Sequence, residues 1–178
     1  PHIKSSGANG RLLHAKVAIS AGLVAKDQGR LEQALTEFSS VSASDDLIEA
    51  RIAYQTGDVL LRLGRFDEAL RCLDSAVELA RRSEALISEQ TRFLSRRGRL
   101  HGLLGDFELA ERDFASARTI LLQDNQEGSR LLSELPGGLL ERDFWLARSN
   151  EDHALSLLAR GDFQQAIFLL TENLRIFN

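Results

Sequence analysis

The sequence predicts an all-α protein built from four antiparallel helix pairs, and three observations carry that prediction. A phrase recurs: "LGRFDEALRCLDSA" at 63–76 returns as "LGDFELAERDFASA" at 104–117, with weaker echoes in "QGRLEQALTEFSSV" at 28–41 and "RGDFQQAIFLLTEN" at 160–173. Around these phrases apolar residues recur at helical spacing, as in Ala53, Leu60, Leu61 and Leu63, with no strand-like alternation. Ala, Leu, Arg and Glu dominate and only two prolines occur, a mixture whose side chains lose little rotamer freedom in a helix.

Aligned on the glycines Gly29, Gly64, Gly105 and Gly161, the copies define columns. Each glycine is expected to take the left-handed conformation that ends a helix cheaply. Two residues later Leu31, Phe66, Phe107 or Phe163 is expected to staple the next helix onto the previous one. Five residues after the glycine come Ala34, Ala69, Ala110 and Ala166, and seven before it Gly22, Gly57, Gly98 and Ala154; small side chains there let two helices approach closely. The bulky column, Phe38, Leu73, Phe114 and Leu170, packs beside them. The expected pairs are 12–28 with 31–43, 47–63 with 66–82, 86–104 with 107–123, and 140–160 with 163–177. Residues 1–10, "PHIKSSGANG", lack a helical pattern and read as a linker preceding a repeat domain over 11–178. Between the third and fourth pairs, 124–139 reads as an insertion, either a binding loop or a tolerated surface loop.

These columns resemble the tetratricopeptide repeat, and the resemblance covers nearly all of residues 12–177. Successive turn glycines lie 35, 41 and 56 residues apart (Gly29, Gly64, Gly105, Gly161), against a family period of about 34, which points to the longer-helix form. The resemblance implies a right-handed superhelix of stacked pairs, an α-solenoid, whose first helices line a concave groove. Carried over residue by residue, the second groove position of each repeat is basic: Lys16, Arg51, Arg92 and Arg148. Arg96 and Arg99 add to the third repeat, and Tyr54 and Gln55 fall at groove positions of the second. The implied ligand is a partner protein or peptide with acidic groups, although Glu49, Glu89 and Asp152 are also available to pair with the same cations. The carboxylate clamp of chaperone-binding members is not preserved: its positions read Ile19, Leu23, Gln55, Arg92 and Arg96 in one frame, and Tyr54, Asp58, Arg96, Arg148 and Asp152 in the next.

A net charge of −4 gives no whole-surface attraction to nucleic acid or an anionic membrane, and Arg96, Arg97 and Arg99 lack the interleaved aromatics of an RNA site. A single cysteine, Cys72, excludes an internal disulfide framework, reads as a partly buried structural thiol and fits a cytoplasmic protein. His2, His14, His101 and His153 are too dispersed for a helical metal pair, and His101 reads as a core histidine. Asp45-Asp46 and Glu151-Asp152 have no catalytic partner at an identifiable site and read as helix starts. Trp145 is expected to pack against the third repeat. No enzyme, metal or cofactor is expected. The chain opens at Pro1 and holds no methionine, so it is expected to be an excerpt of a longer protein. Two other roles compete with a peptide-binding module: the effector-sensing or autoinhibitory arm of a bacterial regulator, and a scaffold self-assembling through the apolar terminal helix "QQAIFLLTENLRIFN".

Overall fold

The computed structural model describes residues 3–41, 45–83, 85, 87–123 and 141–176; the expected insertion at 124–139 lies outside them. Among the described residues there are eight helices and no strand: α1 (Ile3–Asp27), α2 (Leu31–Ser39), α3 (Asp46–Arg62), α4 (Phe66–Arg82), α5 (Ile87–Leu104), α6 (Phe107–Gln123), α7 (Glu141–Arg160) and α8 (Phe163–Ile176). Two differences from the sequence reading have local causes. The stretch expected as a linker is helical from Ile3, because extending an established helix adds one hydrogen bond per residue without a new nucleus. Helix α2 stops at Ser39, where the hydroxyls of Ser39 and Ser40 donate to the carbonyls of Leu35 and Glu37 and compete with the helical ladder.

All four turns are built alike. Gly29, Gly64, Gly105 and Gly161 have φ of 75°, 75°, 87° and 86°, the left-handed region that the repeated glycine requires. At each turn the residue after the glycine donates its N–H five residues back, Arg30 to Ala25, Arg65 to Leu60, Asp106 to His101 and Asp162 to Leu157. The glycine itself donates three residues back, closing a Schellman motif that satisfies the last carbonyls of the preceding helix. Asp45 caps α3 by accepting the Ile48 N–H at 3.0 Å, as a helix-start carboxylate should.

The chain forms two compact units, residues 1–84 and 85–178, each of two helix pairs. In the first, Ala25, Ala34, Phe38 and Val59 form the centre, with Leu31, Ile52 and Leu63 packed around them, so the ring of Phe38 ties the first pair to α3 of the second. The small column explains itself here: a Cβ on Gly22 would stand 2.4 Å from the Phe38 ring, and one on Gly57 2.8 Å from Leu73 Cγ. In the second unit Phe114 of α6 stacks on His153 of α7, ring centroids 4.4 Å apart, again joining one pair to the next. Helices α5 and α7 come still closer. Ser95 and Ser149 share a hydroxyl hydrogen bond of 2.9 Å, and a Cβ on Gly102 would lie 2.0 Å from Ser156 Oγ and 3.0 Å from its Cα.

The last pair departs from the column pattern. Ala154 packs on Leu157, Ala166 and Leu169, while Leu170, in the bulky column, is 41% exposed. Phe38 and Phe114 are covered by the following pair, and among the described residues no helix follows to cover Leu170. The staple column also holds only in part, since Leu31 and Phe107 are half-buried but Phe163 stands exposed at the start of α8. Ile167, Phe168 and Leu174 are exposed beside it, leaving α8 with an apolar outer face.

Candidate functional site

The first helix of each pair carries the residues that the resemblance assigns to a ligand. In the first unit Lys16 and Arg51 are exposed, on α1 and α3. Gln55 is drawn into the unit, its side-chain oxygen 2.5 Å from Lys26 Nζ, and the same ammonium lies 3.3 Å from the buried carboxylate of Asp58. Arg62 approaches Asp58 from the other side at 3.4 Å. Tyr54 is only 5% exposed, so its ring packs inside the unit instead of offering a solvent-facing anchor. The cause is its register: Ala50, Tyr54, Gly57 and Leu61 share one stripe of α3, and all four are buried.

The second unit brings more of the expected residues together. Arg96 and Arg99 of α5 converge on one carboxylate of α7, with Asp152 Oδ1 3.6 Å and 3.4 Å away. The sequence reading of Glu151-Asp152 as a helix start is corrected here. Both lie in the middle of α7, where Asp152 is buried against the facing helix. Burial pushes the Asp152 carboxyl above its ordinary value, against the opposing pull of Arg96, Arg99 and Arg148. Arg148 lies at the exposed edge, paired with Glu151 at 2.5 Å. Arg92 completes the row, its guanidinium 5.4 Å from the Phe93 ring and 5.7 Å from that of Trp145, so Trp145 does meet the third pair. The arrangement can hold and orient carboxylates. It presents no nucleophile beside a base.

Other sequence candidates settle into structural places. His101 is buried, with Nδ1 3.8 Å from Asp106 Oδ2. Cys72 is half-buried, and desolvation holds its thiol above the ordinary value, which disfavours the reactive thiolate. Among the described residues no three His, Cys, Asp or Glu side chains converge on a common metal position, and no helix is long and apolar enough to cross a membrane.

Two features went unread in the sequence. Arg97 of α5 makes a bidentate pair with Asp113 of α6, at 2.8 and 2.7 Å, locking the third helix pair. The placement of Arg97 one residue before the small-column Gly98, which packs against Ala110, Asp113 and Phe114 of α6, was the available signal. A cleft of about 420 Å³ also opens between α6, α7 and α8, lined by Glu111, Phe114, Arg118, His153, Leu157 and Phe168 among others. No periodic pattern marks these residues, because they come from three helices.

Comparison with known proteins agrees with this fold. The family model described as Tetratricopeptide repeat matches residues 19–84 and 54–128. Eight solved chains match the fold, and one of them is the crystal structure of MamA. It superposes with a TM-score of 0.60 at 14% identity, over 91% of this chain and 77% of that one. No curated protein sequence matches the chain.

Proposed function

The chain belongs to the tetratricopeptide repeat family, and from that premise we propose that it is a non-catalytic, cytoplasmic interaction module whose α5–α7 face takes an acidic segment of a protein partner. The observation that carries this reading is the convergence of Arg96 and Arg99 on Asp152. Two guanidinium groups already hold a carboxylate there, and Arg92 and Arg148 extend the row along the same two helices. Acidic side chains of an extended segment would pair with Arg148, the exposed member of the row, and approach Arg96 and Arg99 beside Asp152. Within the first unit Lys16 and Arg51 are the exposed basic positions of the same column, while the buried Tyr54 and the engaged Gln55 act as supports.

The test is a titration of the purified chain with a fluorescent glutamate-rich peptide and its glutamine counterpart, at low and at moderate salt. The glutamate peptide should bind, lose affinity with salt, and lose it again in Arg148→Gln, an exposed change that leaves the Arg96–Asp152 pair in place and whose circular dichroism should match the wild type. Equal binding of both peptides, or unchanged binding by the folded variant, would remove the acidic-segment reading.

A further inference from the structure

The cleft between α6, α7 and α8 lies wholly within the second unit. Its floor is apolar, made by the buried Leu157 and Leu169, and the exposed ring of Phe168 stands at its rim. A volume of about 420 Å³ is in the range of sites that enclose small organic molecules. The two charged groups on its walls are in different states. Glu111 already has partners from within, 3.1 Å from His153 Nε2 and 3.5 Å from Nη1 of Arg160, a cation it shares with Asp162. Arg118 has no such counter-charge: it donates to the neutral amide oxygen of Asn150 at 3.2 Å, and among the described residues no carboxylate lies within ion-pair distance of it.

Arg118 is also held in place from behind. Asn150 donates to Asn173 at 2.9 Å, and Asn173 donates to the Ala147 carbonyl at 2.9 Å, so a chain of buried amides runs from the α7 backbone through α8 to the guanidinium. Both asparagines are buried, and Asn173 occupies a column where the earlier pairs carry Val41, Ala76 and Ala117. A polar side chain at an otherwise apolar position costs stability unless it is paired. Here that cost orients one arginine at the mouth of an apolar cleft.

We propose that this cleft is a binding site for a small amphipathic carboxylate: an apolar ring or chain lying on Leu157, Leu169 and Phe168, with its carboxylate paired to Arg118. The pairing decides the sign of the ligand, because Glu111 already has Arg160 and His153 beside it while among the described residues no carboxylate lies within ion-pair distance of Arg118. The site is separate from the α5–α7 face and stands whether or not that face binds acidic peptides.

The experiment is an NMR titration of the full chain with 3-phenylpropionate and with its neutral amide. Saturable shifts confined to α6–α8 are expected with the acid, and binding about tenfold weaker with the amide, the usual worth of one charge-assisted hydrogen bond. Arg118→Gln, at an exposed position, should fold normally and bind both compounds at the weaker level. Equal binding of acid and amide, full affinity in Arg118→Gln, or no saturation at the solubility limit would overturn the proposal. A capped peptide ending in a free phenylalanine carboxylate separates the two sources of this chemistry. Tighter binding of the peptide than of 3-phenylpropionate would assign the cleft to a protein terminus and overturn the small-molecule assignment.

Discussion

In the first unit Lys26 of α1 reaches Gln55 and Asp58 of α3; in the second Arg96 and Arg99 of α5 reach Asp152 of α7. Each unit therefore joins its two first helices by cations on the earlier pair and a buried carboxylate on the later one. The seams around these ion pairs differ. Helix α1 meets α3 at few points, so a long, flexible lysine spans the distance. Helix α5 runs along α7 at close range, with Ser95 against Ser149 and Gly102 against Ser156. The grooves behind the seams diverge in step. The one between α2, α3 and α4 is about 860 Å³, lined by Thr36, Ser39, Thr56 and Cys72, and its counterpart between α6, α7 and α8 is about 420 Å³. Thr56 of the first stands where His153 stands in the second, one residue before the small column. The repeat thus prescribes the helix pair and leaves the junction between pairs to positions outside its own pattern.

The largest test of this difference is Gly102→Val. With backbone and hydroxyl atoms of Ser156 in the way, α5 and α7 must separate, at a cost of about 3 kcal/mol. Amide hydrogen exchange should show faster opening of α5–α8 while α1–α4 keep wild-type protection. Unchanged protection in α5–α8 would mean that the close seam contributes nothing to the second unit.

A smaller effect is expected inside a pair. Gly22→Ala forces the Phe38 ring from its place and should cost about 2 kcal/mol, loosening the first unit. The converse change in the fourth pair, Ala154→Gly, should cost about 1 kcal/mol, from lost helix propensity and a small void. Denaturant midpoints of the two variants give the comparison. If Gly22→Ala proved the milder, Phe38 would not be the element that fills the small column.

The smallest effect concerns pH. Because burial raises the Asp152 carboxyl, the folded chain holds that proton more tightly than the unfolded chain does. On acidification through the interval between the ordinary and the raised value, the wild type should gain stability relative to Asp152→Asn. Above that interval the cost of the buried charge is fully present. Paired urea titrations at several pH values measure the difference, and a trend of opposite sign would show that the arginines outweigh burial.

The repeat columns made most of the fold legible. The four turn glycines, the small residues at Gly22, Gly57 and Gly98, and the helix limits from α3 to α8 follow from local rules of backbone conformation and helical period. The candidate site was legible only as a set of cations. Arg96 and Arg99 share a face of α5, but that they meet Asp152 depends on where α7 lies, and Glu151-Asp152 looked like a helix start because neighbouring acids favour that place in general. Tyr54 was assigned to a groove by column, yet it shares a buried stripe with Ala50, Gly57 and Leu61.

By itself the sequence determined the helix pairs, because a left-handed glycine and an apolar stripe act over a few residues and need no knowledge of distant chain. Only the tertiary structure decided which faces remained open and which charges were already paired. Those outcomes depend on the separation and angle of helices far apart in sequence, such as Arg99 and Asp152 or Arg118 and Asn150, where a shift of a few ångströms decides between a binding group and an internal ion pair.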